Sequence, residues 1–208
     1  MIRTNIAFAV LMLVFGTSSA LADGHLAAST TNTEAVYWFT DGSDAGGLSH
    51  LTRTDGMIVA TVEPANLVPG HAHTLWVLVF NRPGNCSDDC GEDDIFTPEG
   101  NLNVPQVLET GLAIANGSGN IAKSDGTLEF GARIPHGADL MALGHQVLFG
   151  DGFGPTVLTA SPHDAEVHFI IQTHGQARGG PKLLEQLAYV DSNCTPFCSD
   201  IQFSVHVP

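Results

Sequence analysis

Apolar β-branched and aromatic runs, broken roughly every ten to twenty residues by clusters of Gly, Pro, Asn, Asp and Ser, set the rhythm of this chain. Short runs between turn residues predict an antiparallel all-β domain. The strands expected from the pattern are Ala35 to Thr40, Met57 to Glu63, His71 to Asn81, Asn120 to Ala122, Thr127 to Ile134, His145 to Phe149, Glu166 to His174 and Ile201 to Val207. One short helix is expected over Pro181 to Val190, where Leu183, Leu184, Leu187 and Ala188 recur at helical spacing. The expected fold is therefore an antiparallel β-sandwich of about seven or eight strands with one short helix. The glycine-rich stretch Gly137 to Gly154 reads as a long, partly irregular excursion.

Strand parity assigns faces, because successive side chains on a strand point to opposite sides. In the run from His71, one face carries Ala72, Thr74, Trp76, Leu78 and Phe80, and the other His71, His73, Leu75, Val77 and Val79. Both faces are mostly apolar, as in a strand buried on two sides, and Trp76 reads as a core residue. In Glu166 to His174, Val167, Phe169 and Ile171 form a core face. Glu166, His168, Ile170, Gln172 and His174 are left on a polar face that can carry a site.

The first 25 residues change how the remaining chemistry is read. Arg3 gives a positive start, Ile6 to Phe15 is uninterruptedly apolar, and Ala20-Leu21-Ala22 places small residues where a signal peptidase cuts. Residues 1–22 are thus expected to be a signal peptide, and residues 23–208 a single exported domain, secreted or periplasmic. The apolar run falls well short of the ~20 residues that span a bilayer, so no membrane anchor is expected. With 22 acidic against 7 basic residues and a net charge of −15, the chain repels nucleic acid and anionic lipid, which argues against both as partners, and no nucleic-acid partner is expected.

Export also decides the reading of Cys86, Cys90, Cys194 and Cys198, two C-x3-C pairs in an oxidising compartment. Disulfides are expected. The local pairs, Cys86 with Cys90 and Cys194 with Cys198, are favoured by polar, turn-rich loops, and a cross-link between the two loops is the alternative. A four-cysteine zinc site ranks below both.

The segment Pro69-Gly70-His71-Ala72-His73-Thr74-Leu75-Trp76-Val77-Leu78-Val79-Phe80-Asn81, with Pro83 and Cys86, Ala165-Glu166-Val167-His168, His174-Gly175 and the closing Cys198 to His206, resembles a family of exported bacterial proteins of uncharacterised function. The resemblance spans most of residues 23–208, and its most specific part is the Pro-Gly-His to Phe-Asn segment. It implies an extracytoplasmic β-domain and no established activity. A weaker likeness is to copper-zinc superoxide dismutases, which also place a His-x-His on a strand of an exported sandwich. The Glu-x-Gly-Asp that follows there is replaced by Thr74-Leu75-Trp76-Val77, so that activity does not carry over.

His71 and His73 are the first metal candidates, since a spacing of two on a strand sets both imidazoles on one face, about 7 Å apart at the backbone. A third ligand is expected from His168 or Glu166 if the two strands are neighbours. The competing reading is that His71 caps the turn after Pro69-Gly70 and His73 bonds locally. Asp23-Gly24-His25, freed at the N-terminus by cleavage after Ala22, would offer Cu(II) four nitrogens in a plane. Asp88, Asp89, Glu92, Asp93 and Asp94 crowd one loop, which reads either as a solvated acidic loop or as a weak calcium site. No Gly-x-Ser-x-Gly, His-Glu-x-x-His or phosphate-binding glycine loop occurs. The function expected from these features is a non-catalytic binding or envelope-structural role, toward an unidentified ligand or envelope partner. The alternative is a copper- or zinc-binding protein, with redox activity as an extension.

Overall fold

A computed structural model describes residues 29–138, 161–188 and 198–208. The signal segment, Asp23-Gly24-His25, the expected strand His145 to Phe149 and Cys194 lie outside the described residues. Eight strands are present there: β1 Ser29–Trp38, β2 Asp44–Thr54, β3 Met57–Glu63, β4 His71–Phe80, β5 Leu112–Ile121, β6 Phe130–Pro135, β7 Glu166–Gln176 and β8 Ser199–His206. Every ladder between them is antiparallel, and the order is β5-β4-β7-β8-β1-β2-β3-β6.

That order divides into two four-stranded halves. The ladder between the halves is short, pairing only Tyr37 with Phe203 and Trp38 with Gln202 across β1 and β8. At the opposite edge β5 meets β6 without a ladder, and a Cβ on Gly117 would stand 3.2 Å from that of Ala132. The sheet is thus curled until its halves face each other, a nearly closed sandwich. Inside, Val36, Leu51, Ile58, Val77, Phe130 and Phe169 belong to one apolar core drawn from both halves. Apolar burial of this extent is the main stabilising term of such a domain.

Strand β4 is buried on both sides, as parity requires. Leu75, Val77 and Val79 face the interior, while Trp76, Leu78 and Phe80 pack outward beneath the segment joining β4 to β5. That segment holds a 3-10 turn, Pro83–Asn85, and two short helices, α1 Glu92–Ile95 and α2 Val104–Thr110, whose Ile95 and Val107 complete the outer cluster. The disulfide Cys86–Cys90 closes its first turn. Helix α3, Pro181–Ala188, lies where the single helix is expected, so α1 and α2 add to the expected helix content.

Candidate functional site

The entrance of β4 is held by the turn at Pro69-Gly70. Gly70 adopts a φ of 75°, the left-handed region that glycine enters without steric cost. Its N–H donates to the Ala122 carbonyl at 2.9 Å, and its own carbonyl accepts from the N–H of Ala177 at 3.0 Å and from Gln176 Nε2 at 3.1 Å. The strand therefore starts clamped between the ends of β5 and β7. His71 emerges half-buried, and His73, on the interior face with Leu75, is 1% exposed. Their ring centres lie 6.4 Å apart with the planes 29° from parallel. Neither nitrogen of His73 makes a well-formed hydrogen bond, and the one polar group acting on the ring at short range is the Gln172 backbone. Burial, then the nearby His71 and His174, outweighs the opposing Gln172 backbone bond and pushes its pKa down to about 4, so the ring is neutral near pH 7 and keeps a free lone pair.

His174 is occupied. Its Nε2 lies 2.8 Å from Thr74 Oγ1 and its Nδ1 3.0 Å from Cys198 Sγ. Cys198 is disulfide-bonded and has no S–H to give; Nδ1–H therefore donates to sulfur and Nε2 accepts from the Thr74 hydroxyl. Gln186 of α3 donates to the His174 carbonyl at 3.0 Å, so helix and strand fix each other.

Glu166 and His168 lie elsewhere. β4 and β7 are neighbours, as a shared site requires, but the register sets His168 opposite Leu78 and Glu166 opposite Phe80, while His73 stands opposite Thr173. Five residues at ~3.3 Å separate Leu78 from His73, about 16 Å along the strand. His168 moreover shares the outward face of Leu78. Its Nε2 meets Glu166 Oε1 at 2.7 Å and its ring packs on Phe80 at 5.0 Å. The expected convergence of His168 or Glu166 on His71 and His73 does not occur, and the candidates divide into two separate pairs. No group of three or more His, Cys, Asp or Glu side chains able to share an ion occurs among the described residues.

At the opposite end of the sandwich lies a polar cluster that sequence reasoning missed. Arg53 of β2 is 3% exposed. Its Nη2 donates to the carbonyls of Ala165 (3.1 Å), His206 (2.9 Å) and Val207 (3.1 Å), and its Nη1 to Asn32 Oδ1 at 3.0 Å. The three carbonyl bonds cross between the halves where β8 has left β1, while that to Asn32 stays within the β1–β2 half. Beside them His206 Nε2 lies 2.8 Å from Ser49 Oγ, and its ring meets Phe169 edge-on at 5.3 Å. Burial, then the charge of Arg53, then His168 and His50, pushes the His206 pKa down to about 4. Burial also lowers that of Arg53, which stays charged at any ordinary pH. The visible signal was the alternation in β2, where Ala45, Ser49, Leu51 and Arg53 all point inward.

In the acidic loop, Asp94 is fully buried. One carboxylate oxygen accepts from the Ser87 N–H at 2.8 Å and from Gln106 Nε2 at 2.8 Å, and the other from the Gly91 N–H at 3.1 Å. Burial acts to raise its pKa, but the bonds from Ser87, Gln106 and Gly91 outweigh it and the net direction is down. This carboxylate anchors α1. Asp88, Asp89, Glu92 and Asp93 are exposed around it.

Cys86 and Cys90 pair locally, and Cys198 is also disulfide-bonded, its expected partner Cys194 lying outside the described residues. No described helix is long and apolar enough to cross a membrane. Comparison with protein-family models, curated proteins and solved structures finds no match to this chain.

Proposed function

We propose that the protein is an exported, disulfide-containing binding protein with a non-catalytic role, and that its ligand enters at the start of β4 against His71 and His73. The observation that carries this reading is His73, an imidazole buried in the sandwich with neither nitrogen in a well-formed hydrogen bond. Burying a polar group without a hydrogen bond costs on the order of 1–3 kcal/mol. A ligand that supplies the missing partner recovers that cost. The clamped Gly70 turn and the His174–Thr74 bond keep the strand entrance rigid, which limits the ordering needed on binding. Export rests on the charged start, the apolar run and the Ala20-Leu21-Ala22 site.

The test is a melting-temperature series on the mature chain with Cu(II), Zn(II), citrate and glucose, run in parallel on His73→Leu. At least one of the four should raise the wild-type melting temperature, and the rise should vanish in the variant. A flat response to all four, or a rise that survives His73→Leu, overturns the reading.

A further inference from the structure

Resting on the binding reading above, we propose that the ligand of the His71–His73 pair is a divalent first-row transition ion, Cu(II) ahead of Zn(II), taken by one nitrogen of each ring. Two imidazoles sharing an ion through bonds of about 2.0–2.1 Å have ring centres about 5 to 6 Å apart. The observed separation is 6.4 Å with the planes 29° from parallel, so both side chains turn to aim one nitrogen each at a shared ion. A spacing of two on a regular strand supplies this separation without backbone strain.

The donor set selects the class of ion. Calcium and magnesium require several oxygen ligands, whereas the two groups that meet here are imidazoles. Imidazole suits copper, zinc and nickel, and affinity at a given nitrogen site peaks at Cu(II). His73 has at least one nitrogen free to bind, since neither makes a well-formed hydrogen bond and only the Gln172 backbone acts on the ring. His71, half-buried at the strand entrance, opens the route from solvent. A net charge of −15 raises the local concentration of cations. With two protein donors, the remaining positions are filled by water or by a donor that arrives with the ion.

The experiment uses the full mature chain carrying His25→Ala, which removes competition from Asp23-Gly24-His25, stripped with a chelator and titrated with Cu(II). Bound copper per chain is measured after gel filtration, and nitrogen coordination by electron paramagnetic resonance. One equivalent with nitrogen coupling is expected. His73→Leu and His71→Gln should each lower it to below about a tenth, and His168→Ala should leave it unchanged. Should His73→Leu fail to fold, the half-buried His71→Gln decides alone. No bound copper, or copper that persists in both His71→Gln and His73→Leu, overturns the assignment. A His73-dependent response to citrate or glucose without bound copper overturns the metal assignment alone and leaves the binding reading standing; absence of every response overturns both.

Discussion

The two ends of the sandwich each bury a histidine, and each histidine is held neutral by the same physical cause, yet they differ in what surrounds the ring. At the β8 end His206 is bonded to Ser49, and the guanidinium of Arg53 beside it meets four acceptors. One nitrogen of His206 and the Nε of Arg53 stay unpartnered, but both side chains are anchored. At the β4 entrance His73 makes no well-formed hydrogen bond and has only the Gln172 backbone beside it. Burial alone therefore does not separate a structural histidine from a binding one. The number of its donors and acceptors already in use does, because an engaged ring must first give up a bond before it can take a ligand.

The largest effect is expected at Arg53. Arg53→Met removes the donor to three carbonyls and to Asn32, at about 1–3 kcal/mol for each acceptor left unsatisfied, so urea melts should show a loss on the order of 3–6 kcal/mol. A loss below about 1 kcal/mol would mean that apolar packing holds this end, and the contrast would collapse. Next comes pH. The unfolded chain takes a proton on His206 near pH 6.5, whereas the folded chain resists until about pH 4. The stability this neutral ring contributes is thus fully present above about pH 6.5 and lost as pH falls toward 4, at roughly 1.4 kcal/mol per unit and up to about 3 kcal/mol in all. Urea melts of the wild type from pH 7 to 4.5 should lose stability more steeply than those of His206→Asn, and equal slopes would refute the assignment.

Ser49→Ala should cost about 1–2 kcal/mol by leaving both nitrogens of His206 unbonded, which makes that end resemble the other. The smallest effect sharpens the comparison most. In chelator-treated buffer His73→Leu should change stability by less than about 1 kcal/mol, or increase it, since an apolar side chain replaces a buried ring with no well-formed hydrogen bond. If it costs as much as His206→Leu, His73 is a structural residue and the contrast between the ends is lost.

Much of β4 and β7 was legible because alternation of large apolar side chains is a strong local signal, and the pairing of Val77 with Phe169 and Val79 with Val167 joins the core face read for β7 to one of the two apolar faces of β4. β2 was not, since its inward positions are Ala45, Gly47, Ser49, Leu51 and Arg53, of which only Leu51 is large and apolar. The first part of β5 was hidden by Asn116-Gly117-Ser118-Gly119, which reads as a turn. The chain runs straight through it, with an irregularity opposite Leu75 and Trp76. Gly119 is there for close approach rather than for turning: a Cβ would lie 2.1 Å from the Leu187 carbonyl oxygen of α3. That contact joins residues far apart in sequence and leaves no local trace. The same holds for the candidate site. The proximity of His71 and His73 follows from a spacing of two, whereas the distance to His168 depends on the β4–β7 register, a property of two strands together.

The place of β8 has a consequence for the order in which the molecule closes. This strand, the last in chain order, stands between β7 and β1 and supplies the ladder that unites the halves. Until β8 pairs, β1 and β7 are each left with one edge bare. Such edges invite pairing with other chains until Ser199–His206 arrives. Closure is accordingly a late event between segments at opposite ends of the sequence, the kind of contact that makes a β-rich chain slow to fold. A molecule that has not yet placed β8 is at its most vulnerable to association with others.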